Sequence, residues 1–272
     1  MKRLFFTLIL FSLLLAACQP ASIATPVATL PPTEPSLATA EPTQAPVQAT
    51  LAPTATGKEI TLNLSGLAQS MTVETIPAVP ASDDHPYWEA APEHLQVTLE
   101  GYPVSNHLMK AQIFIYPVDR FSEFNQAAGQ IAGDLPALLK SHDAVDVMPF
   151  LPLFNAQQVM HAQVQYMDFK NGNGVRFLTQ FDQAPLPINS YELIYTFQGL
   201  TSDGKYYVAA VLPVSHPDLP ANQQVNDEMA AKLSDFPAYL AETVAWLEQQ
   251  PANRFTPDLA ALDALIQSIE VK

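Results

Sequence analysis

Six histidines are the residues best able to hold a metal: His85, His94, His107, His142, His161 and His216. No two of them stand at helical i, i+4 spacing, the arrangement that puts two imidazoles on one helix face. Asp83-Asp84-His85 sets three donors side by side, but adjacent side chains of an extended loop point to opposite sides. His142-Asp143, with Asp146, follows an expected helix end, where an imidazole already favours the negative end of the helix dipole. Solvated loop and helix cap are the simpler readings, and no metal or other cofactor is expected. The segment from Asp168 to Gly174 has an outline like a calcium loop. Lys170 occupies one of its ligand positions, however, and Thr179 stands where a bidentate Glu is required.

Nucleophilic chemistry finds even less support. No Gly-x-Ser-x-Gly turn is present, and neither Ser65 before Gly66 nor Ser190 has the flanking glycines of a nucleophile elbow. With nine Gly in all, neither a Walker A loop nor a dinucleotide fingerprint can be read. Glu89/Glu93 and Asp143/Asp146 are close in sequence, whereas glycosidase carboxylates face each other across a cleft. They read as solvated acidic surface, so no catalytic residue is expected. Aromatic residues give the one binding signal. Tyr87-Trp88 lies in a Pro-punctuated loop from Pro77 to Pro92, and Tyr102 sits in the turn after an expected strand. Loop aromatics stack on sugars or anchor a partner's peptide, and Tyr87, Trp88 and Tyr102 are the candidate ligand-binding residues. The alternative for such a Trp is to fold back and plug an end of the core.

The chain has 272 residues, 48% hydrophobic and 14% charged, which suffices for a core of ordinary size. Its formal charge of −15 argues against nucleic acid as a partner, because phosphate affinity comes from Lys and Arg. The single Cys, Cys18, excludes an intrachain disulfide and any multi-Cys zinc or iron–sulfur site. It follows Lys2-Arg3 and an apolar run from Leu4 to Leu15 that, even with Ala16 and Ala17 added, is too short to span a bilayer. That run ends in Leu15-Ala16-Ala17-Cys18, which resembles the lipobox of bacterial lipoproteins. The resemblance implies that residues 1–17 are a signal peptide and that Cys18 is acylated and becomes the new N-terminus. Two or three acyl chains hold firmly where one is marginal, at about 0.8 kcal/mol per buried CH₂. Losing Lys2 and Arg3 leaves 10 Lys+Arg against 27 Asp+Glu, a charge of −17. Gln19 follows the Cys, and an Asp there would have suggested inner-membrane retention in a two-membrane cell.

Residues 18–57 form a Pro/Thr/Ala-rich linker. Of the 39 positions from Gln19 to Gly57, 25 are Pro, Thr or Ala, none is aromatic, and Glu34 and Glu41 are the only charges. Eight prolines in such a stretch oppose helix and sheet. Too little apolar surface is present to offset ordering entropy. A disordered, polyproline-biased spacer is expected, reaching about 120 Å at about 3.1 Å per residue.

Residues 58–272 read as a single globular α+β domain without internal repeats. Strands are expected at residues 60–64, 71–76, 94–100 and 109–118. Asp119 then caps a helix carrying Val118, Phe121, Phe124, Ala128, Ile131 and Leu135, which bends or restarts at Asp134/Pro136 and runs to about Lys140. Residues 141–155 form a loop whose apolar members lie over the core. Two hairpins follow, 162–169 with 175–181 around Asn171-Gly172-Asn173-Gly174, and 191–200 with 205–212 around Thr201-Ser202-Asp203-Gly204. Their strands are apolar on both alternating sets, the pattern of a sheet covered on both faces. Val225, Met229, Leu233, Phe236, Leu240, Val244 and Leu247 make a helical stripe bent near Pro237. A last helix is expected with Thr256 as N-cap and Pro257 at N1, burying Leu259, Leu262, Ile266 and Ile269.

The expected fold is therefore an antiparallel sheet built from hairpins, with helices on both faces. In outline it is similar to Mog1/PsbP-like α/β/α sandwiches. The stretch around Phe197-Gln-Gly-Leu-Thr-Ser-Asp-Gly-Lys-Tyr-Tyr also resembles uncharacterised bacterial lipoproteins, a likeness that implies no activity. The expected function is a lipid-anchored, extracytoplasmic binding or assembly module. Its partners would be the membrane, through the anchor, and a protein or other component of the cell envelope. A tethered hydrolase with a site assembled from distant residues is the first alternative. Solute capture is the second, although the domain lacks the strand–helix alternation of two-lobed binding proteins.

Overall fold

A computed structural model of the chain describes residues 60–64 and 66–272, all within one compact unit. The expected signal peptide, Cys18 and the linker lie outside the described residues. The strands are β1 (Ile60–Thr61), β2 (Ser70–Ile76), β3 (His94–Glu100), β4 (Gln112–Pro117), β5 (Gln157–Phe169), β6 (Gly172–Asp182), β7 (Ile194–Thr201), β8 (Tyr206–Pro213) and β9 (Glu270–Val271). The helices are α1 (Phe121–Phe124), α2 (Gln126–Ser141), α3 (Asp227–Leu233), α4 (Phe236–Glu248) and α5 (Leu259–Gln267).

Seven strands form one antiparallel sheet in the order β2-β3-β4-β8-β7-β6-β5, and β1 pairs with β9 apart from it. Two meanders, β2-β3-β4 and β5-β6-β7-β8, are joined where β4 and β8 pair, with Gln112 opposite Val211 and Tyr116 opposite Tyr207. Every residue of β7 is buried, and only Tyr206 of β8 is not. Alternation along a strand sends successive side chains to opposite faces. Ile113 and Ile115 accordingly share a cluster with Leu259, Leu262 and Ile266 of α5. Their neighbours Phe114 and Tyr116 share another with Ala128, Ala132 and Leu135 of α2. The fold is thus mixed α+β, with a large antiparallel sheet built from hairpins and several helices.

Several local expectations are corrected. The expected helix over 119–140 breaks at Asn125, not at Asp134/Pro136. Asp119 lies in a 3-10 turn, Val118–Arg120, and the Asn125 side chain caps α2 by accepting from the N–H groups of Ala127 and Ala128. Helix α2 then runs through Pro136 to Ser141. The first hairpin turns one residue earlier than the Asn-Gly pattern suggested, because Phe169 already pairs with Gly172. Gly172 and Gly174 sit inside β6, where a Cβ would lie 2.2 Å from the Leu200 carbonyl oxygen and 2.4 Å from the Phe197 ring, respectively. They are small because neighbouring strands crowd them, not because they turn.

The stripe from Val225 to Leu247 is divided into α3 and α4 by Ser234-Asp235, with Asp235 capping α4. Of its apolar residues Leu247 alone is fully buried, so these helices pack shallowly. The last helix is capped by Asp258, not Thr256. Thr256 is held extended by paired backbone bonds to Ser215, which leaves it unable to cap.

Candidate functional site

A cleft of about 610 Å³ opens on the face of β4 and β8 that carries Phe114. Its floor is Gln112, Phe114 and Val211, which alternation places on one side of two adjacent strands. Three short segments wall it: the turn with Trp88 and Glu89, the approach to β4 from Leu108 to Lys110, and the loop from Pro152 to Asn155, backed by Gln183.

Each wall is fastened to the sheet or to a helix. The Asn125 amide that caps α2 also donates to the Tyr87 carbonyl at 2.6 Å, so one side chain fixes both the helix start and the Trp88 turn. Backbone bonds between Val79 and Ala91 close the ends of that loop. In the second wall Leu108 N–H donates to the Tyr191 carbonyl at 2.8 Å. His107 Nδ1 accepts from Met109 N–H, which leaves Nε2 as the donor to the Leu193 carbonyl. This is a neutral imidazole, and burial pushes its pKa down, against the smaller upward pull of the bond to the Leu193 carbonyl. In the third wall the buried Gln198 amide accepts from Leu151 N–H at 2.9 Å and donates to the Leu151 carbonyl at 3.1 Å. Phe154 leans on Phe181 with ring centroids 5.3 Å apart, and Gln183 donates to the Asn155 carbonyl. A cleft with walls pinned in this way loses little conformational freedom when it binds a ligand.

Most of the lining is apolar. Lys110 is its one cation and makes no ion pair among the described residues. Glu89 is its one anion, with Oε2 3.7 Å from His85 Nδ1. Of the three aromatic residues singled out in the sequence, Trp88 lines the cleft. Tyr87 is 61% exposed and meets the Trp88 ring edge-on at 5.3 Å, outside the lining. Tyr102 is not brought to them: it packs with the α5 cluster and donates its hydroxyl to the Pro213 carbonyl at 2.9 Å. Phe114, Phe154 and Lys110 were missed. Phe114 reads as one more core residue in a strand, and Phe154 as part of an apolar loop; only pairing across the sheet brings them to Trp88.

The acidic and histidine clusters stay apart. Asp83, Asp84 and His85 are all exposed. His142 ends α2 in a left-handed conformation and stacks on Tyr166 at 3.8 Å. Among the described residues no group of three or more His, Cys, Asp or Glu is arranged to hold a metal ion. Buried charge is used structurally. Arg176 Nε lies 3.1 Å from Asp263 Oδ1, an ion pair out of hydrogen-bond alignment, while Nη2 donates to Gln165 Oε1 at 2.6 Å. Tyr195 donates to the same Asp263 oxygen at 2.8 Å. Asp263 thus ties α5 to β6 and β7, and the cluster opens to no cavity described above.

No protein-family model matches the chain, and neither a curated protein nor a solved structure is significantly similar to it. The site's own geometry therefore carries the functional argument. No helix among the described residues is long and apolar enough to cross a membrane.

Proposed function

We propose that this protein is a lipid-anchored, extracytoplasmic binding module. Its domain is an α/β/α sandwich that presents the Trp88 cleft to a ligand or partner of the cell envelope. The cleft is the observation that carries the binding reading. Its volume falls within the roughly 300–1,000 Å³ typical of ligand sites, and its walls are fixed by hydrogen bonds before any ligand arrives. The sandwich is supported by the two clusters on alternate strand positions, one containing α2 and the other α5. The anchor is supported by the lipobox-like Leu15-Ala16-Ala17-Cys18 after a basic and apolar leader. The Pro/Thr/Ala-rich linker would let the domain search a volume set by its length, raising its effective concentration at nearby partners.

The anchor is tested by fractionating cells that express the wild-type chain or Cys18→Ser. Wild type should sediment with membranes and take up an alkyne-labelled fatty acid at Cys18. The variant should incorporate no label at residue 18. A wild-type chain that carries no acyl group there would end the anchor reading.

A further inference from the structure

We propose that the cleft takes a single-chain amphiphile with an anionic head. The apolar chain lies over Phe114 and Val211 between Trp88 and Phe154, and the head sits at Lys110. This rests on the reading of the domain as a binding module but not on the anchor. The floor and walls offer mostly aromatic and aliphatic surface, and two of the three side-chain amides that could read a sugar's hydroxyls already spend a donor within the protein. Gln112 donates to Thr98 Oγ1 at 3.2 Å, and Gln183 donates to the Asn155 carbonyl. A polyhydroxylated ligand would lose more hydrogen bonds to water than such a surface returns. An alkyl chain loses none, and each CH₂ it buries contributes about 0.8 kcal/mol.

Charge selects the head. Arg120, Arg176, Lys205, Lys232 and Arg254 have carboxylate partners, whereas Lys110, like Lys140, Lys170 and Lys272, has none among the described residues, and of these four it alone lines this apolar cleft. Glu89, on the same rim, has His85 beside it. A carboxylate or phosphate at the mouth would supply Lys110 with a partner. A quaternary ammonium there would be repelled. Free fatty acids and lysophospholipids share this chemistry.

The test uses residues 19–272, which retain the whole compact unit, with Trp246→Phe so that Trp88 is the only tryptophan. Its emission is followed during titration with laurate, lauroyl-lysophosphatidylglycerol, dodecyl maltoside and dodecyltrimethylammonium, each below its micelle concentration. The two anions should give a saturable shift, and the neutral maltoside should bind about fivefold more weakly, the scale of one exposed charge pair. Lys110→Glu should invert the order of anion and cation, and Glu89→Gln should tighten anion binding. The relative affinities of laurate and the lysolipid then separate a fatty-acid ligand from a membrane-lipid one. Calorimetric titration of the chain with both tryptophans provides the same ranking if Trp246→Phe impairs folding. Equal binding of all four heads, indifference to Lys110→Glu, or no saturable binding by either method would overturn the proposal. Acylation at Cys18 is scored separately, so the anchor and the ligand can fail independently.

Discussion

His94 lies against Tyr116 with the rings tilted by 35° and their centroids 4.3 Å apart, and its Nδ1 donates to the Pro92 carbonyl at 2.8 Å. Burial pushes its pKa below the ordinary value, against the smaller upward pull of that hydrogen bond. His107, His161 and His216 shift the same way, again chiefly through burial. In the unfolded chain each would take a proton near pH 6.5. A group whose folded pKa is depressed below its unfolded value makes the unfolded state the better proton acceptor. The stability these histidines confer is therefore complete above about pH 6.5 and declines as the pH falls toward their folded pKa values. The urea midpoint should be lower at pH 5.5 than at pH 7.5, and His94→Gln should narrow that difference. A midpoint that does not change over this range would contradict the sign. Asp203 works in a separate window. The Thr201 hydroxyl, followed by the Lys205 backbone and side chain, holds its carboxyl down at about 2. What it contributes is present above about pH 4 and lost as the pH falls toward 2, clear of the histidine range.

The glycines of β6 show how an element can carry a signal with a second meaning. Asn171-Gly172-Asn173-Gly174 reads as a turn because Asn and Gly tolerate positive φ. The turn falls on Lys170-Asn171 instead, and Gly174 lies opposite Gly199 on β7. A Cβ at Gly174 would stand 2.4 Å from the Phe197 ring and 2.5 Å from the Gln198 carbonyl oxygen. Gly174→Ala should therefore cost about 1–3 kcal/mol through overpacking. Gly133 in α2 provides the control, since nothing lies within 4 Å of its Cβ position. Gly133→Ala should stabilise the fold by about 1 kcal/mol through helix propensity. Urea melts of the two variants must move in opposite directions. Helix ends also depended on context. Asp119 and Thr256 are chemically good caps, but a 3-10 turn and a bridge to Ser215 occupy them, leaving the caps to Asn125 and Asp258.

Across the whole molecule, the first and last described strands hold each other. Ile60 pairs with Val271, and the Asn171 side chain both donates to the Val271 carbonyl and accepts from its N–H. Ile60, Ile269 and Val271 are buried in the α5 cluster. Ending the chain at Ser268 should cost about 3–5 kcal/mol, comparable to deleting one large core side chain and more than a frayed terminus would. Thermal melts check this, and an unchanged midpoint would show that the pairing adds nothing. Local sequence determined most of the strands, the existence of α2 and α5, and the loop over 141–155, because those depend on side-chain periodicity and on Gly and Pro. It also brought out Trp88, a large aromatic in a Pro-rich loop. Tertiary structure decided the rest. The pairing of Gln112–Pro117 with Tyr206–Pro213 joins segments about a hundred residues apart, and nothing local encodes which strands become neighbours. The same pairing sets Phe114 beside Val211 and so makes a floor beneath Trp88, Lys110 and Phe154. A cleft is a relation between segments distant in the chain, and it exists only once burial of both sheet faces has fixed their order.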